Sequence, residues 1–294
     1  GGALAFNARR SHQRVAVESC PALVPELSSL PGRLSASLAP IAKDCQAVHV
    51  LSEPSDSPGP TAFAVFLRKA ITERHRKTVE ETVRKTGARG ALLIPSSGAA
   101  WRIGDAELPS PAPLRPEVTV FSRPDLFSQA NGGTAPSLVA AALEAARPKD
   151  RALELYSGNG AFTFALAARC GEVCAVESNG PAVELATRSA RQSSVKNIRF
   201  VQGDALKVAR GLAREGKRFD FLLADPPRTG AAGLGPAARS LAVERLVYVA
   251  CDAGALARDA GELRRAGFTP VTLTLVDMFP QTRHIEAVMA FRRS

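Results

Sequence analysis

From residue 122 onward the chain alternates short apolar runs with helix-like stretches, and this alternation limits the possible folds more than any other feature. Runs typical of strands occupy residues 151–155, 172–177, 198–201, 219–224, 245–250, 270–276 and 285–291. A helical pattern at residues 135–146 precedes the first of them, and helical runs separate most of the others, among them 181–192 and 254–266. Strands that alternate with helices usually pair in parallel through crossovers, so the pattern predicts an α/β domain.

The last two predicted strands are joined differently. Only residues 277–284 connect them, which is too short for a helical crossover, so this pair is expected to be antiparallel. The sequence therefore predicts a Rossmann-like sheet of seven strands with an antiparallel last strand, extending over residues 122–294.

Residues 1–121 form a region of different texture. Strand-like runs at 14–17, 47–51, 62–67 and 91–95 are mixed with helical stretches within 25–44 and at 72–86, and a Pro/Ser-rich turn covers 54–60. This pattern predicts a smaller α+β accessory domain that could bind RNA. The chain begins at Gly1 without an initiator Met, which indicates a fragment and an incomplete accessory domain.

Composition narrows the possible partners and compartments. The net charge is +10 over 294 residues, and 45% of the residues are hydrophobic. The excess of Lys and Arg favours a polyanionic partner. A generally arginine-rich amino-acid composition would give the same net charge without such a partner. There is no apolar run of about 18 residues, so no membrane span is expected. Five cysteines without paired spacing predict a reducing, cytoplasmic environment.

Residues 68–89 carry eight of the basic side chains. One interpretation is a surface that faces RNA. The other is a solvated helix in which Glu73, Glu80 and Glu81 balance the cations, and this second interpretation is favoured.

Polar side chains at the ends of the first three predicted strands indicate a cofactor site, because ligands collect at the carboxyl ends of parallel strands. A Gly-Asn-Gly turn at 158–160 follows the first strand, and Thr163 replaces the third glycine of a dinucleotide fingerprint. Glu177 could accept both ribose hydroxyls of an adenosine, Asp204 could bind the adenine amino group, and Tyr156 could lie along the cofactor. Each residue also has a purely structural interpretation, as an acid at a strand end or as an aromatic side chain in the core. Together they favour S-adenosylmethionine.

The ends of the later strands carry groups suited to covalent chemistry. Residues 225–228 read Asp-Pro-Pro-Arg, and Arg228 stands where amino-directed methyltransferases have an aromatic residue. Arg228 could contact a phosphate or be a surface arginine. Cys251 ends the fifth strand and Glu286 begins the last. A free cysteine is most often a small buried side chain, yet a thiolate that adds to carbon 6 of uracil activates carbon 5, and a carboxylate can then remove the carbon-5 proton.

Several motifs resemble the catalytic domain of the bacterial RNA uracil-C5 (5-methyluridine) methyltransferases. They are 127–131 (FSQAN), 155–160 (LYSGNG), 225–228 (DPPR), 248–252 (YVACD) with 256–259 (LARD), and 277–286 (DMFPQTRHIE). The resemblance implies a class I S-adenosylmethionine-dependent methyltransferase fold, with Cys251 as nucleophile and Glu286 as proton acceptor. It assigns the cofactor contacts to Gln129, Tyr156, Glu177, Asp204 and Asp225.

The chain departs from the family's pattern in three places. The usual Ser-Cys-Asn-Pro is replaced at residues 250–253 by Ala-Cys-Asp-Ala, and Asp252 is expected to raise the thiol pKa. Ala161 stands where an Asn is common. Cys20 resembles the fourth ligand of the family's iron–sulfur cluster, but no cysteine precedes it, so no cluster and no metal site are expected in this chain.

The sequence therefore predicts a monomeric RNA methyltransferase that makes 5-methyluridine, with 23S rRNA as the expected substrate and the T-loop uridine of tRNA as the alternative. Two other classes stay open. One is a methyltransferase for cytosine or another atom, although cytosine-C5 RNA enzymes typically carry a Pro-Cys nucleophile where Arg228 follows Pro227. The other is a non-catalytic RNA-binding relative.

Overall fold

A computed structural model describes residues 3–7, 13–21, 23–53, 59–129, 131–146, 151–280, 282 and 284–294 of the protein. Most of the predicted turn at 54–60 lies outside these residues, as do Ala130, Gln281 and Arg283 of the quoted motifs. The chain divides into two compact units, Gly1–Ser110 with Ser122–Phe127, and Pro111–Phe121 with Ser128–Ser294. The domain boundary between residues 121 and 122 stays a prediction.

The first unit is built on a four-stranded mixed sheet. Its elements are strands β1 (Ala5–Asn7) and β2 (Arg14–Ala16), helix α1 (Leu30–Leu38), strands β3 (Cys45–Ser52) and β4 (Thr61–Leu67), helix α2 (Glu73–Thr86), and strands β5 (Gly90–Ile94) and β6 (Trp101–Gly104). The strand order is β3-β4-β5-β6, and only β4 and β5 are parallel. Two short 3₁₀ turns, Pro25–Leu27 and Ala39–Ile41, flank α1. This is the α+β architecture that the sequence predicts.

The core of this unit follows from two apolar patterns. In β4 six of seven residues are buried, so the strand is apolar on both faces. Leu30, Leu34 and Leu38 lie on one face of α1 and pack with Phe63 and Val65. Burial of these side chains holds α1 against the sheet.

Helix α2 carries most of the basic stretch noted in the sequence, and three of its five Lys and Arg side chains pair with glutamates of the same helix. Lys85 Nζ lies 2.7 Å from Glu81 Oε1, and Lys77 Nζ lies 3.9 Å from Glu73 Oε1. Both pairs have the i, i+4 spacing that links neighbouring turns. The contacts support the interpretation of α2 as a solvated helix whose cations are partly balanced by its own glutamates.

A two-stranded hairpin follows, formed by β7 (Leu108–Ala112) and β8 (Arg115–Ser122). Within the second unit, the backbone N–H of Phe121 donates to Ser189 Oγ at 3.1 Å. Val118 and Val120 pack with Phe164 in a small apolar cluster. Residues 111–121 are thereby part of the second unit.

The second unit contains the predicted seven-stranded sheet. Its strands are β9 (Arg151–Leu155), β10 (Glu172–Glu177), β11 (Ile198–Gln202), β12 (Phe221–Ala224), β13 (Arg245–Ala250), β14 (Phe268–Val276) and β15 (Glu286–Arg293). The order is β11-β10-β9-β12-β13-β15-β14, parallel throughout except that β15 is antiparallel to both of its neighbours. The predicted sheet and its antiparallel end are confirmed.

Helices cover both faces of this sheet. They are α3 (Ala135–Ala146), α4 (Thr163–Ala167), α5 (Gly180–Gln192), α6 (Ala205–Arg214), α7 (Leu234–Ser240) and α8 (Ala253–Arg265). One core contains apolar side chains of α6, α7 and α8, and the other contains those of α3 and α4. The strand order reverses beside β9 and β12, so their carboxyl ends open the crevice where doubly wound sheets bind ligands. None of the described helices is long and apolar enough to cross a membrane.

Candidate active site

The strand register brings the candidate residues to one edge of the sheet. Leu155, at the end of β9, pairs with Val176 of β10 and with Ala224 of β12. Glu177, the last residue of β10, and Asp225, which follows β12, therefore lie at this edge on either side of β9. Parallel strands of similar length end together, so the apolar runs in the sequence fix this arrangement.

Cys251 and Glu286 meet at the same edge although 35 residues separate them. The antiparallel register pairs Ala250 of β13 with Ala287 of β15, which places Cys251 opposite Glu286 one step further along. Glu286 is buried, with 6% of its surface exposed, and Cys251 is partly buried. The antiparallel last strand thus brings a thiol and a carboxyl group together.

The pKa of both groups is raised. Burial is the largest cause of the raised pKa of the Cys251 thiol, and the negative charges of Glu286 and Asp225 add to it. The Arg228 guanidinium acts in the opposite direction, through its charge and a hydrogen bond with the thiol. Burial also raises the pKa of Glu286, again opposed by Arg228. Arg228 thus favours the charged form of both the thiol and the carboxyl group.

Asp225 and Gln129 are also brought together. Gln129 Nε2 donates to Asp225 Oδ2 at 3.4 Å, across 96 residues of sequence. Burial, with a further contribution from Glu286, raises the pKa of Asp225 to about 8, and the hydrogen bond from Gln129 counteracts this shift. Both residues were predicted to contact the cofactor.

Glu177 is held by the turn that follows β9. Its Oε2 accepts a hydrogen bond from the backbone N–H of Gly158 at 3.0 Å. Its Oε1 accepts from the backbone N–H of Asn179 at 2.8 Å and from Ser178 Oγ at 3.1 Å. The carboxylate that was predicted to bind ribose is therefore fixed against the glycine turn.

Tyr156 and Asp204 lie at this edge with different local roles. Tyr156 is partly buried and has φ of +65°, a left-handed conformation that costs a non-glycine residue about 1–3 kcal/mol and often marks functional sites. Asp204 is exposed and caps α6, because its Oδ1 accepts from the backbone N–H of Lys207 at 2.8 Å. Burial and the charge of Asp204 raise the pKa of Tyr156, which places the two side chains near each other.

Glu154 is a buried acid next to the end of β9 that sequence reasoning missed. It is 1% exposed, and neither carboxylate oxygen has a hydrogen-bond partner within the described chain. Burial raises its pKa to about 8, with smaller contributions from the charges of Asp225 and Glu177, and the nearby Thr163 side chain opposes this shift. The hydroxyls of Ser157, in the following turn, and of Thr163, at the start of α4, are also buried without a hydrogen bond of good geometry among the described residues. Such groups usually find partners, so this cluster indicates a ligand site.

A second missed group holds the loop that follows Arg228. Asp259 of α8 is 2% exposed, and its Oδ2 accepts from Tyr248 Oη and from the backbone N–H of Ala231, both at 2.6 Å. Arg258 binds both this carboxylate and the carbonyl of Thr229. Both residues belong to the LARD motif at 256–259. The motif itself does not indicate what they contact, because the loop lies about 30 residues earlier in the sequence.

The loop requires a glycine at position 230. Its φ is +80°, and a β-carbon there would collide with the side chains of Arg258 and Asp259. Glu262, one turn further along α8, accepts hydrogen bonds from the backbone N–H groups of Gly233 and Gly235 at 2.9–3.0 Å. Helix α8 thereby fixes both ends of the loop.

Asp252 has a structural role that the sequence reasoning did not give it. Its Oδ1 accepts from the backbone N–H of Ala255 at 2.8 Å and caps α8. The pKa of the neighbouring Cys251 is raised, but by burial, Glu286 and Asp225. Among the described residues, no group of three or more potential ligands is arranged to hold a metal ion.

Comparison with known proteins identifies a family that the sequence matches. The model of the family described as tRNA (Uracil-5-)-methyltransferase matches residues 120–294. The 23S rRNA (uracil(1939)-C(5))-methyltransferases of Vibrio campbellii and Klebsiella pneumoniae are 31% and 33% identical over 291 and 293 residues. These alignments cover 98% and 99% of this chain and 65% and 66% of theirs, so the chain spans just under two thirds of its curated relatives.

A solved structure shares the fold. The tRNA (uracil-54, C5)-methyltransferase of Pyrococcus abyssi, in complex with S-adenosyl-L-homocysteine, superposes with a TM-score of 0.70 at 20% identity. The superposition covers 97% of this chain and 72% of that one. The predicted class I methyltransferase fold is confirmed by this likeness.

Proposed function

The chain belongs to the tRNA (uracil-5-)-methyltransferase family, and on that premise we propose that it transfers a methyl group from S-adenosylmethionine to C5 of a uridine in 23S rRNA. One observation carries this proposal, the register that sets Cys251 opposite Glu286 at the carboxyl edge. The reaction needs a nucleophile and a base on one pyrimidine ring, and this pair supplies both.

The residues at the other half of the edge fit the cofactor. Glu177 would accept the ribose hydroxyls of the adenosine, while Asp204 and Tyr156 would lie near its base, with Asp225 and Gln129 beside the sulfonium end. Glu154 provides a buried carboxylate without a partner in the described chain, which suits a cofactor bearing a cationic amine and a cationic sulfur. When bound, the cofactor supplies the methyl group to C5.

Cys251 would open the reaction. Its sulfur forms a bond to C6 of the uracil, and the C5–C6 π electrons move toward C5 and the O4 carbonyl. Because burial raises the pKa of the thiol, the thiolate needs a compensating positive charge, and Arg228 supplies it. Arg228, considered from the sequence as a phosphate contact or a surface residue, thus acquires a role beside the nucleophile.

Glu286 would close the reaction. After methylation C5 still carries its proton, and the Glu286 carboxylate accepts it; the C5–H electrons restore the C5–C6 double bond and expel the Cys251 sulfur. Burial raises the pKa of Glu286 above the usual value of a glutamate. A base whose pKa lies closer to the working pH is a stronger proton acceptor.

The substrate is an unstacked uridine, since the thiol cannot reach C6 of a base inside a helix. Ribosomal RNA is favoured over tRNA because relatives named for 23S rRNA align over 98–99% of the chain at 31–33% identity. The tRNA enzyme is 20% identical. All five cysteines are unpaired, which supports a reducing, cytoplasmic environment. That the protein is a monomer stays a prediction.

The test uses RNA that contains 5-fluorouridine, because the fluorine cannot leave as a proton and the covalent adduct should persist. Protein and S-adenosylmethionine are incubated with 23S rRNA and tRNA transcripts, and complexes are separated on a denaturing gel. A shifted band with the rRNA transcript, absent for Cys251→Ala, is the expected result. A band with tRNA alone would assign the alternative substrate. Cofactor binding without a band on either RNA would overturn uracil-C5 chemistry in this chain.

A further inference from the structure

A row of three exposed cations lies on the outer face of α6. Lys207, Arg210 and Arg214 are spaced by three and four residues, which aligns them along one side of the helix. The opposite side is apolar and buried through Ala209 and Leu212. Within the described chain, none of the three cations forms an ion pair or a side-chain hydrogen bond. This contrasts with α2, where glutamates one turn away pair with Lys77 and Lys85.

These cations line one wall of an open groove with a volume of about 790 Å³. Pro236 and Ser240 of α7 form part of the other wall. Glu262, the acid that reaches toward the start of α7, is already occupied by the backbone N–H groups of Gly233 and Gly235. The groove therefore combines concentrated positive charge with a wall of small side chains.

The cations of α6 lie next to the loop that follows Arg228. The Arg210 guanidinium lies beside Gly233, in the loop that begins at Arg228 and is held by α8. Asp204, at the cofactor edge, caps the same helix that carries the three cations. A strand whose base enters the site beside Arg228 can follow this loop into the groove.

The length of the row fits a nucleic-acid backbone. Arg214 lies seven positions after Lys207 along the helix, which is about 10 Å at 1.5 Å per residue. A strand in a helical stack carries one phosphate about every 3.4 Å along its axis, so about three phosphates face a row of this length.

We propose that the groove between α6 and α7 binds the phosphodiester backbone of the RNA strand next to the target uridine, through Lys207, Arg210 and Arg214. The identity of the RNA rests on the proposed function, whereas the groove itself rests on the charge and geometry of α6 and α7. The groove positions the substrate and takes no part in the bond changes at C5 and C6.

The experiment compares two triple variants with the same loss of charge. The first is Lys207→Gln/Arg210→Gln/Arg214→Gln. The matched control replaces Arg169, Arg191 and Lys196, three exposed cations from α5 and from the connections that follow α4 and α5, by Gln. RNA dissociation constants are measured for wild type and both variants over a series of salt concentrations, together with S-adenosylmethionine affinity and the KM for RNA.

The groove variant should bind RNA about 10-fold or more weakly at low salt. Loss of three phosphate contacts should reduce the slope of log K against log salt concentration by about 2, at about 0.7 per contact with a single strand. Its KM for RNA should rise while its cofactor affinity stays at the wild-type value. The control variant should retain the wild-type slope.

A wild-type slope in the groove variant would overturn the proposal, and that is also the result expected if the groove receives an acidic protein. An equal loss in both variants would overturn it too, because net charge alone would then explain the effect. The proposed function fails separately, if wild type binds RNA through the groove but transfers no methyl group to uridine.

Discussion

Two regions at the carboxyl edge of the sheet differ in which charges act on their acidic groups. The first contains Glu154 of β9 and Asp225 after β12, and the second contains Cys251 after β13 and Glu286 at the start of β15. In the first region, the pKa of Glu154 and of Asp225 is raised to about 8 by burial and by neighbouring carboxylates. In the second region, the raised pKa of Cys251 and of Glu286 is opposed by the guanidinium of Arg228. The first region therefore favours binding of a cation. The second favours ionisation of the Cys251 thiol and the Glu286 carboxyl group.

The largest effect should come from removing the nucleophile. Cys251→Ala should reduce turnover by about 10⁴-fold or more, as expected when a group that acts by covalent catalysis is lost. Cofactor affinity should change by no more than a few-fold, because the acids of the first region are untouched. Single-turnover methyl transfer and equilibrium binding measure the two quantities. Wild-type-like turnover would exclude the covalent mechanism and the separate roles of the two regions.

Replacing the base should stop the reaction at a later stage. Glu286→Gln should lower turnover by about 10²- to 10⁴-fold and should accumulate a methylated covalent adduct, because C5 keeps its proton. Denaturing gels and mass spectrometry of the RNA–protein complex detect the adduct. Cys251→Ala/Glu286→Gln is the control and should form none. Rapid product release by the single variant would remove Glu286 from its proposed role.

A smaller effect is expected in the first region, at Glu154. Ionisation of Glu154 and Asp225 should strengthen cofactor binding as the pH rises toward 8, and Glu154→Gln should reduce this rise and weaken binding at pH 8 by about 10-fold, or about 1.4 kcal/mol. Calorimetric titrations from pH 6 to 9 measure it. The substitution keeps the shape of the side chain and removes only its charge, so an unchanged pH profile would show that Glu154 does not face the cofactor.

The same substitution changes stability with pH in a defined direction. The folded protein keeps the Glu154 proton up to about pH 8, whereas the unfolded chain loses it near the ordinary value of 4.5. The folded state binds more protons across this window, so this group's contribution to the free energy of unfolding falls as pH rises from about 4.5 to 8. Glu154→Gln should make that fall shallower in denaturant titrations, and a steeper fall would contradict the assignment.

The smallest effect on turnover is expected at the clamp of α8 on the loop after Arg228. Asp259→Asn should lower the free energy of unfolding by about 1–3 kcal/mol, because Tyr248 and Ala231 lose a charged acceptor. If the clamp positions Arg228, kcat should fall a few-fold and the thiol pKa, measured by alkylation rate against pH, should rise. Tyr248→Phe, which removes one donor and keeps the carboxylate, is the control. An unchanged alkylation profile would leave Asp259 with a purely structural role.

The sequence predicted the sheet well because its strands are buried apolar runs, and β9, β10 and β13 have the predicted bounds. Elsewhere in the chain it missed β1, β6, β7 and β8. Gly104, Pro109 and Pro111 are poor strand formers in β6 and β7, and pairing with neighbouring strands stabilises these two. At the site, Cys251 and Glu286 could be predicted because strand ends and motifs mark them. Their predicted roles still await experiment.

Other parts of the site could not be predicted from the sequence. Glu154 looks like an ordinary strand residue until the burial of both its carboxylate oxygens is known. Asp259 and Glu262 act through the backbone of a loop about 30 residues earlier, and no local pattern reports such contacts. Asp252 and Asp204 cap helices, a local role that the sequence does allow, because each precedes a helical run by one residue.

The chain passes between its two compact units three times, at residues 110/111, 121/122 and 127/128. This order has a consequence for folding during protein synthesis. The hairpin segment 111–121 leaves the ribosome before Phe164 and Ala190, the side chains against which Val118 and Val120 pack. At about 5–20 residues per second, the roughly 70 residues between Val120 and Ala190 take about 4–14 s to make. During that interval the nascent hairpin exposes its apolar face, whereas a full-length chain that refolds from denaturant has its packing partners from the start.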